Sequence, residues 1–172
     1  MIDNLDFLQK AELGSYVGLT VEADSETAFI DELINMIIDS TTFTFDDELI
    51  ESELPRIETD LRASLTENKK PVGAYCYVMG IKEEDFTDHV RDLITRTAAE
   101  NGIIEAIAKS ESIVVADSDV KEYMAYYRRQ YADALMGDAT LSDENLAEAI
   151  KTKKVLKFLR ENNTWKSTAP AE

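Results

Sequence analysis

Apolar residues recur at helical spacing along most of the chain, and this pattern predicts long amphipathic helices. The first helix begins after Asp24 or Ser25, either of which can cap it, and ends near residue 40. The second begins near Asp46 and continues to about residue 66. Pro55 lies inside it, so we expect a kink or a helix boundary there, because proline removes a backbone donor. The two apolar stripes consist of Phe29, Leu33, Ile34, Ile37 and Ile38, and of Leu49, Ile50, Leu54, Ile57, Leu61 and Leu65.

Further helices are expected in the second half of the chain, with few extended pieces. A short apolar helix at 72–79 is closed by Gly80, and the others lie at about 83–110, 118–135 and 142–162. The extended candidates are residues 17–22, the brief link Phe43–Phe45 and Ile113–Val115. Residues 1–12 are expected to form an irregular N-terminal arm, and residues 164–172 a flexible tail from which Trp165 can dock back. The pattern therefore predicts a mainly helical module over residues 13–163, without a linker that would separate two domains.

The net charge of the chain limits the classes of partner that it is expected to bind. Asp and Glu number 35 against 18 Lys and Arg, which gives a net charge of −17. Phosphate binding needs a concentrated basic surface, so nucleic acid is not expected as a partner, and an anionic membrane surface would repel the chain. No apolar run is long enough to cross a bilayer, and the first residues lack a signal-peptide pattern, so we expect a cytoplasmic protein, or an exported one if a signal segment was removed.

No constellation of residues indicates catalysis or metal binding. His89 is the only histidine and lies between Asp85 and Asp92 on a predicted helix, as a solvated histidine commonly does. Cys76 is the only cysteine, and its apolar neighbours indicate packing. The Asp117-x-Asp119 pair lacks the other ligands and the glycine of a calcium loop. We therefore expect no enzyme activity, no metal and no cofactor; an enzyme using His89 or Cys76 is the weaker alternative.

Two clusters of tyrosine and methionine are candidates for an interaction surface. Tyrosine joins an apolar ring to a polar tip, and methionine repacks around varied shapes, so both suit binding surfaces as well as cores. On the helix at 118–135, Val120, Met124, Tyr127, Tyr131 and Leu135 share one face, while Tyr123 and Tyr126 point elsewhere. One helix buries both faces only if it is flanked on both sides. The second cluster is Tyr75, Tyr77, Val78 and Met79.

The order of several segments resembles the C-terminal chaperone domain of trigger factor. Each motif is weak alone, and their order and spacing carry the resemblance over residues 13–163. The matching segments are Gly14–Val21, Phe29–Ile34, Phe43–Leu54, Met79–Phe86, Ile104–Val120 and Lys153–Asn162. The chain passes from the connector directly to its first helix at residues 22–26. The prolyl isomerase domain is therefore expected to be missing, as is the ribosome-binding domain, so neither isomerase activity nor ribosome docking is carried over.

The resemblance implies an all-α, elongated module of long antiparallel helices with arm-like hairpins, related in architecture to SurA-type chaperones. It also implies ATP-independent binding of unfolded, partly folded or nascent polypeptide clients through apolar surfaces between the arms. Acidic surroundings would favour basic clients. The residues expected at the client surface are Tyr75, Val78, Met79, Met124, Tyr127, Tyr131, Leu135 and Met136. Two alternatives use the same apolar faces: a homodimeric structural or assembly protein, and an adaptor dedicated to one partner.

Overall fold

The computed structural model describes the backbone of residues 7–130 and 143–168, and the side chains of residues 7–126 and 146–168. Six α-helices lie in these ranges, with a single turn of 3-10 helix at Glu83–Asp85. The helices are α1 (Glu26–Ser40), α2 (Asp47–Glu67), α3 (Val72–Met79), α4 (Phe86–Ser110), α5 (Asp117–Gln130) and α6 (Asp143–Asn162). The strands are β1 (Leu8–Glu12), β2 (Thr20–Ala23), β3 (Thr42–Phe45) and β4 (Thr164–Ser167). The prediction of a mainly helical fold is confirmed.

The first of two compact units contains the chain up to Glu12 and residues Thr41–Gly102. In it, β1 pairs with β3 in antiparallel register, and α2 packs on α3 and on the start of α4. Asp46 caps α2, since its side chain accepts a hydrogen bond from the Leu49 amide at 3.0 Å. The buried core of this unit consists of Phe7, Ile50, Leu54, Ile57, Leu65, Cys76, Phe86, Val90 and Ile94.

The second unit contains Leu13–Ser40 and the chain from Ile103 onward. Its strands β2 and β4 run parallel, with Val21 opposite Trp165. Ser25 caps α1, because its hydroxyl accepts from the Ala28 amide at 3.3 Å. The largest buried side chains of the described part of this unit are Val21, Phe29, Leu33, Ile37, Ile103, Ile107, Leu146 and Leu159.

Asn163 joins the end of α6 to the segment that precedes β2. Its side chain is buried, accepts from the Leu19 amide at 2.8 Å, and donates to the carbonyl oxygens of Tyr16 and Leu159 at 3.0 and 2.8 Å. All three partners are backbone groups that would otherwise need water. One amide side chain therefore fixes where the chain leaves α6 and enters β4.

Several local expectations differ from the structure. Residues 8–12 form β1 rather than an irregular arm, and residues 164–167 form β4 rather than a flexible tail, with Trp165 docked as expected. Residues 113–115 form no strand, because no neighbouring strand pairs with them there. Helix α2 continues through Pro55, so of the two alternatives expected there, a kink or a helix boundary, the boundary is wrong. The break predicted between the helices at 118–135 and 142–162 lies outside the described residues.

No helix among the described residues combines the length and the apolarity that crossing a membrane requires.

Candidate functional site

Helix α3 is short, apolar on both sides, and bounded by residues that fix its ends. Pro71 precedes it in an extended conformation, and Gly80 follows it with φ of +69°, a conformation that glycine adopts at little cost. The Ile81 amide donates back to the Cys76 carbonyl at 3.0 Å, which closes the last turn. Ile81 then packs against the core of the first unit. These ends set which side chains of α3 face the core.

The inner row of α3 follows helical spacing at residues 72, 75, 76 and 79. Val72 and Tyr75 are half-buried, and Cys76 is 2% exposed. Since successive helix residues are about 100° apart, Tyr77 and Val78 must point away from this row. They are 86% and 81% exposed.

Together with Met79, which is 47% exposed at the end of the inner row, Tyr77 and Val78 form what we call the α3 patch. Single exposed apolar side chains are ordinary, but three consecutive ones on an apolar helix are not. The patch has no cover among the described residues, and it offers an aromatic ring, a branched side chain and a flexible thioether side by side. Apolar groups of another molecule could be buried there.

Tyr75 occupies a different position from the α3 patch. Its hydroxyl lies 2.9 Å from Nε2 of His89, and its ring meets that of Phe86 edge to face at 6.0 Å. Burial raises the pKa of Tyr75, and the adjacent Cys76 adds to the rise. Tyr75 and His89 therefore tie α3 to α4, and Cys76 is enclosed beneath them.

In the second unit, the start of α5 is anchored to α6 by one carboxylate. Asp119 accepts hydrogen bonds from Lys154 at 2.5 Å and from the Ala116 amide at 2.8 Å. These two bonds, the lysine's first, lower the pKa of Asp119. Lys154 also donates to the Val114 carbonyl oxygen at 2.9 Å. Helix α5 begins at Asp117, one residue before the predicted start.

Two grooves are lined by residues of α5, whose apolar side chains lie on more than one face of the helix. The first, which we call the α5 groove, has a volume of about 760 Å³ and includes half-buried Met124. Its described lining is Val115, Asp117, Val120, Lys121, Met124, Ala125 and Ala147.

The second groove lies between α5 and α6 and has a volume of about 370 Å³. We call it the lysine groove, because α6 contributes three lysines to it. Tyr123 and Tyr126 of α5 lie within it with their ring centres 6.4 Å apart. Its described lining is Asp119, Glu122, Tyr123, Tyr126, Ile150, Lys153, Lys154 and Lys157.

The residues expected at a client surface belong to different surface features of the two units. Val78 and Met79 lie in the α3 patch, Met124 lines the α5 groove, and Tyr75 is largely committed to packing. The side chains of Tyr127, Tyr131, Leu135 and Met136 lie outside the described residues. Tyr77 and Tyr126 are not among the residues expected at the client surface from the sequence. Helical spacing could have identified both, because each lies outside the row of core-facing residues on its helix.

Comparison with known families decides what the chain is related to. The model of the family described as the C-terminus of bacterial trigger factor protein matches residues 9–161. The chain belongs to this family. The trigger factor of Halothermothrix orenii is 27% identical over 138 residues, which are 77% of this chain and 32% of that protein. The trigger factor of Bacillus cytotoxicus is 26% identical over 90% of this chain and 36% of its own length. The chain therefore spans about a third of these relatives.

Solved structures share the trigger factor C-terminal fold. A structure of trigger factor domains from Thermotoga maritima has a TM-score of 0.59 at 16% identity, and covers 87% of this chain and 93% of its own. A structure of the trigger factor chaperone has a TM-score of 0.53 at 17% identity, over 78% of this chain and 33% of its own. A hypothetical Mycoplasma protein has a TM-score of 0.52 at 12% identity, over 100% of this chain and 98% of its own. The resemblance drawn from the sequence is confirmed.

Proposed function

We propose that this chain binds unfolded or partly folded segments of other polypeptides, reversibly and without ATP, and keeps them from aggregating. The observation that carries this function is the α3 patch, where Tyr77 and Val78 are 86% and 81% exposed on a helix with fixed ends. Membership of the trigger factor C-terminal family supports it. So does the similarity to a solved trigger factor chaperone that is described as recognising its substrates promiscuously.

The binding energy comes from apolar burial. Covering the side chains of Tyr77 and Val78 would contribute roughly 1.5–3 kcal/mol each before the cost of ordering the client. This is enough for weak binding and too little for a permanent complex. Such reversibility suits a chaperone that must release its client. Met79 and Met124 adapt to different client side chains because the thioether chain is flexible.

No covalent step is part of this function. The thiol of Cys76 is 2% exposed, and His89 is hydrogen-bonded to the Tyr75 hydroxyl, so each has a packing role. The clients are unfolded or nascent chains, and docking on the ribosome is not proposed.

An aggregation assay tests the proposal. A chemically denatured model enzyme is diluted into buffer without ATP, and light scattering is followed with increasing amounts of this chain. We expect suppression near equimolar amounts for the native sequence, and loss of at least half of it for Tyr77→Ser combined with Val78→Ser. Circular dichroism must show unchanged helix content, because serine is tolerated about as well as tyrosine and valine in helices.

Val114→Ser is the matched control, since Val114 is 73% exposed but lies outside the α3 patch. We expect it to suppress aggregation like the native chain. Equal suppression by the double variant would show that the α3 patch is not the client surface. Absence of suppression by the native chain, with a dimer mass in static light scattering, would favour the homodimeric assembly protein. Tight binding to one partner only would favour the dedicated adaptor.

A further inference from the structure

The lysine groove between α5 and α6 has a charge opposite to that of the chain. The chain has a net charge of −17, yet Lys153, Lys154 and Lys157 line this small groove together. They occupy adjacent positions and the next turn of α6, so the local folding of one helix places all three on the same side. The groove carries two carboxylates, those of Asp119 and Glu122.

The three lysines differ in the partners that their ammonium groups contact. Lys154 is held by Asp119 at 2.5 Å and by the Val114 carbonyl oxygen. Lys157 lies 3.9 Å from Glu161, and both side chains are more than 60% exposed, so this pair contributes little. Lys153 lies 5.8 Å from the centre of the Tyr123 ring, and within the described part of the chain no carboxylate is in ion-pairing distance of its ammonium. Lys153 and Lys157 are therefore available to an incoming anion.

The apolar side of the groove lies beside these two lysines. Ile150, which is 6% exposed, belongs to its lining, and Tyr126 leaves 56% of its surface exposed. A tyrosine that is half exposed beside a second tyrosine offers a stacking surface for an aromatic side chain. The groove thus presents an aromatic surface and two cationic groups within one short stretch.

We propose that the lysine groove binds acidic, aromatic-containing segments of client polypeptides. A client phenylalanine or tyrosine packs on Tyr126, and carboxylates within a few residues of it pair with Lys153 and Lys157. Nucleic acid is the less favourable occupant, because the overall charge of −17 repels a continuous phosphate backbone more strongly than it repels two client carboxylates. The inference rests on the proposed polypeptide-binding function and names the clients selected at one of its surfaces.

Fluorescence anisotropy with two matched peptides tests this assignment. Both are fluorescein-labelled, unstructured 12-residue chains with one phenylalanine; one carries two glutamates beside it and the other two glutamines. We expect the glutamate peptide to bind about three- to tenfold more tightly at low ionic strength, because only this peptide can form two exposed ion pairs with the lysines of the groove. The preference should disappear at 1 M salt, where charges are screened beyond about 3 Å.

Variants of the lysine groove test whether the preference for the glutamate peptide arises there. Lys153→Gln combined with Lys157→Gln should remove it, and Tyr126→Ser should weaken both peptides. Lys69→Gln combined with Lys70→Gln is the control, because it makes the same change in net charge at two exposed lysines of the first unit. Equal binding of the two peptides, a preference that survives the groove variant, or tighter binding of a labelled single-stranded oligonucleotide would overturn the proposal.

The aggregation assay separates this failure from that of the proposed function. If the native chain suppresses aggregation through the α3 patch while the peptides show no charge preference, only the assignment of the lysine groove is wrong. If neither suppression nor peptide binding is observed, the polypeptide-binding function is wrong as well.

Discussion

Removal of the Trp165 side chain should destabilise the second unit, since this residue joins β4 to α1 and β2. Its indole ring stacks on Phe29 with ring centres 5.9 Å apart, and its N–H donates to the Ala23 carbonyl oxygen at 2.9 Å. The guanidinium of Arg160 lies 5.5 Å from the ring centre. Trp165 is the only tryptophan of the chain and is half-buried.

Two substitutions divide the contribution of Trp165 into parts. Trp165→Phe keeps a ring against Phe29 but removes the donor; the Ala23 carbonyl still accepts from the Thr168 amide at 2.9 Å, so the cost is about 0.5–1 kcal/mol. Trp165→Ala also removes the stacked ring. Deletion of a fully buried aromatic side chain costs about 3–5 kcal/mol, so a half-buried one should cost roughly 2–3 kcal/mol.

Thermal unfolding followed by circular dichroism measures both effects. For a chain of this length, each kcal/mol lowers Tm by about 2–4 °C, so we expect losses of roughly 1–4 °C for Trp165→Phe and 4–12 °C for Trp165→Ala. Lys166→Ala is the control, because Lys166 follows Trp165 in β4 and is exposed. An alanine variant within about 1 °C of the native Tm, or an equal loss in the control, would refute the inferred docking of Trp165.

Substitutions at three further positions test individual contacts. Gly14→Ala should lower the free energy of unfolding by about 1–3 kcal/mol in urea titrations, because the added methyl carbon would lie 2.6 Å from the Ser40 carbonyl carbon; an unchanged midpoint would contradict this close approach. Asn163→Ala should cost about 2 kcal/mol in the same titration, since it leaves the Leu19 amide without its partner, whereas Asn163→Gln should recover part of the loss because it keeps an amide side chain. Tyr75→Phe should remove one of the late steps of the tyrosinate absorbance titration, since burial raises the pKa of Tyr75. Because the folded pKa of Tyr75 is raised above 10.0, its stabilising contribution is complete below pH 10 and is lost as pH rises further; the variant should therefore lose less stability above pH 10 than the native chain.

The helices could be predicted from the sequence because their signals are local. The apolar spacing of α1 and the cap at Asp46 lie within one or two turns of the residues they organise. The strands β1 and β4 could not, since each has only four or five residues and gains its hydrogen bonds from a distant part of the chain. Val21 pairs with Trp165 across the sequence, and no local pattern announces that partner.

Residues 113–115 illustrate the opposite error. Ile113, Val114 and Val115 have the β-branched side chains that favour strands, but no strand among the described residues pairs with them. Val114 is instead 73% exposed, and its carbonyl oxygen accepts from Lys154. Strand propensity needs a partner before it becomes structure.

The candidate surfaces were only partly predictable. Composition identifies residue types that favour binding, but not whether their side chains face the core or the solvent. The tyrosines and methionine of α3 marked this helix as a candidate surface. The helical spacing of Val72, Cys76 and Met79 also predicts that Tyr77 points away from the core. The lysine groove was not predicted, since it requires the side-by-side packing of α5 and α6. Net charge gave the opposite expectation, that acidic surroundings would favour basic clients.

Ionic strength should separate the two modes of binding proposed for this chain. Burial at the α3 patch is apolar and is not weakened by screening, whereas pairing of client carboxylates with Lys153 and Lys157 loses strength as the screening length falls from about 10 Å at 0.1 M to 3 Å at 1 M salt. High salt also screens the repulsion between copies that each carry a charge of −17, which lets α3 patches meet one another. Aggregation suppression should thus persist at 0.5 M salt for a client without acidic segments and weaken for a glutamate-rich one. Equal weakening for both, without a rise in the mass of this chain in light scattering, would show that charge also governs binding at the α3 patch.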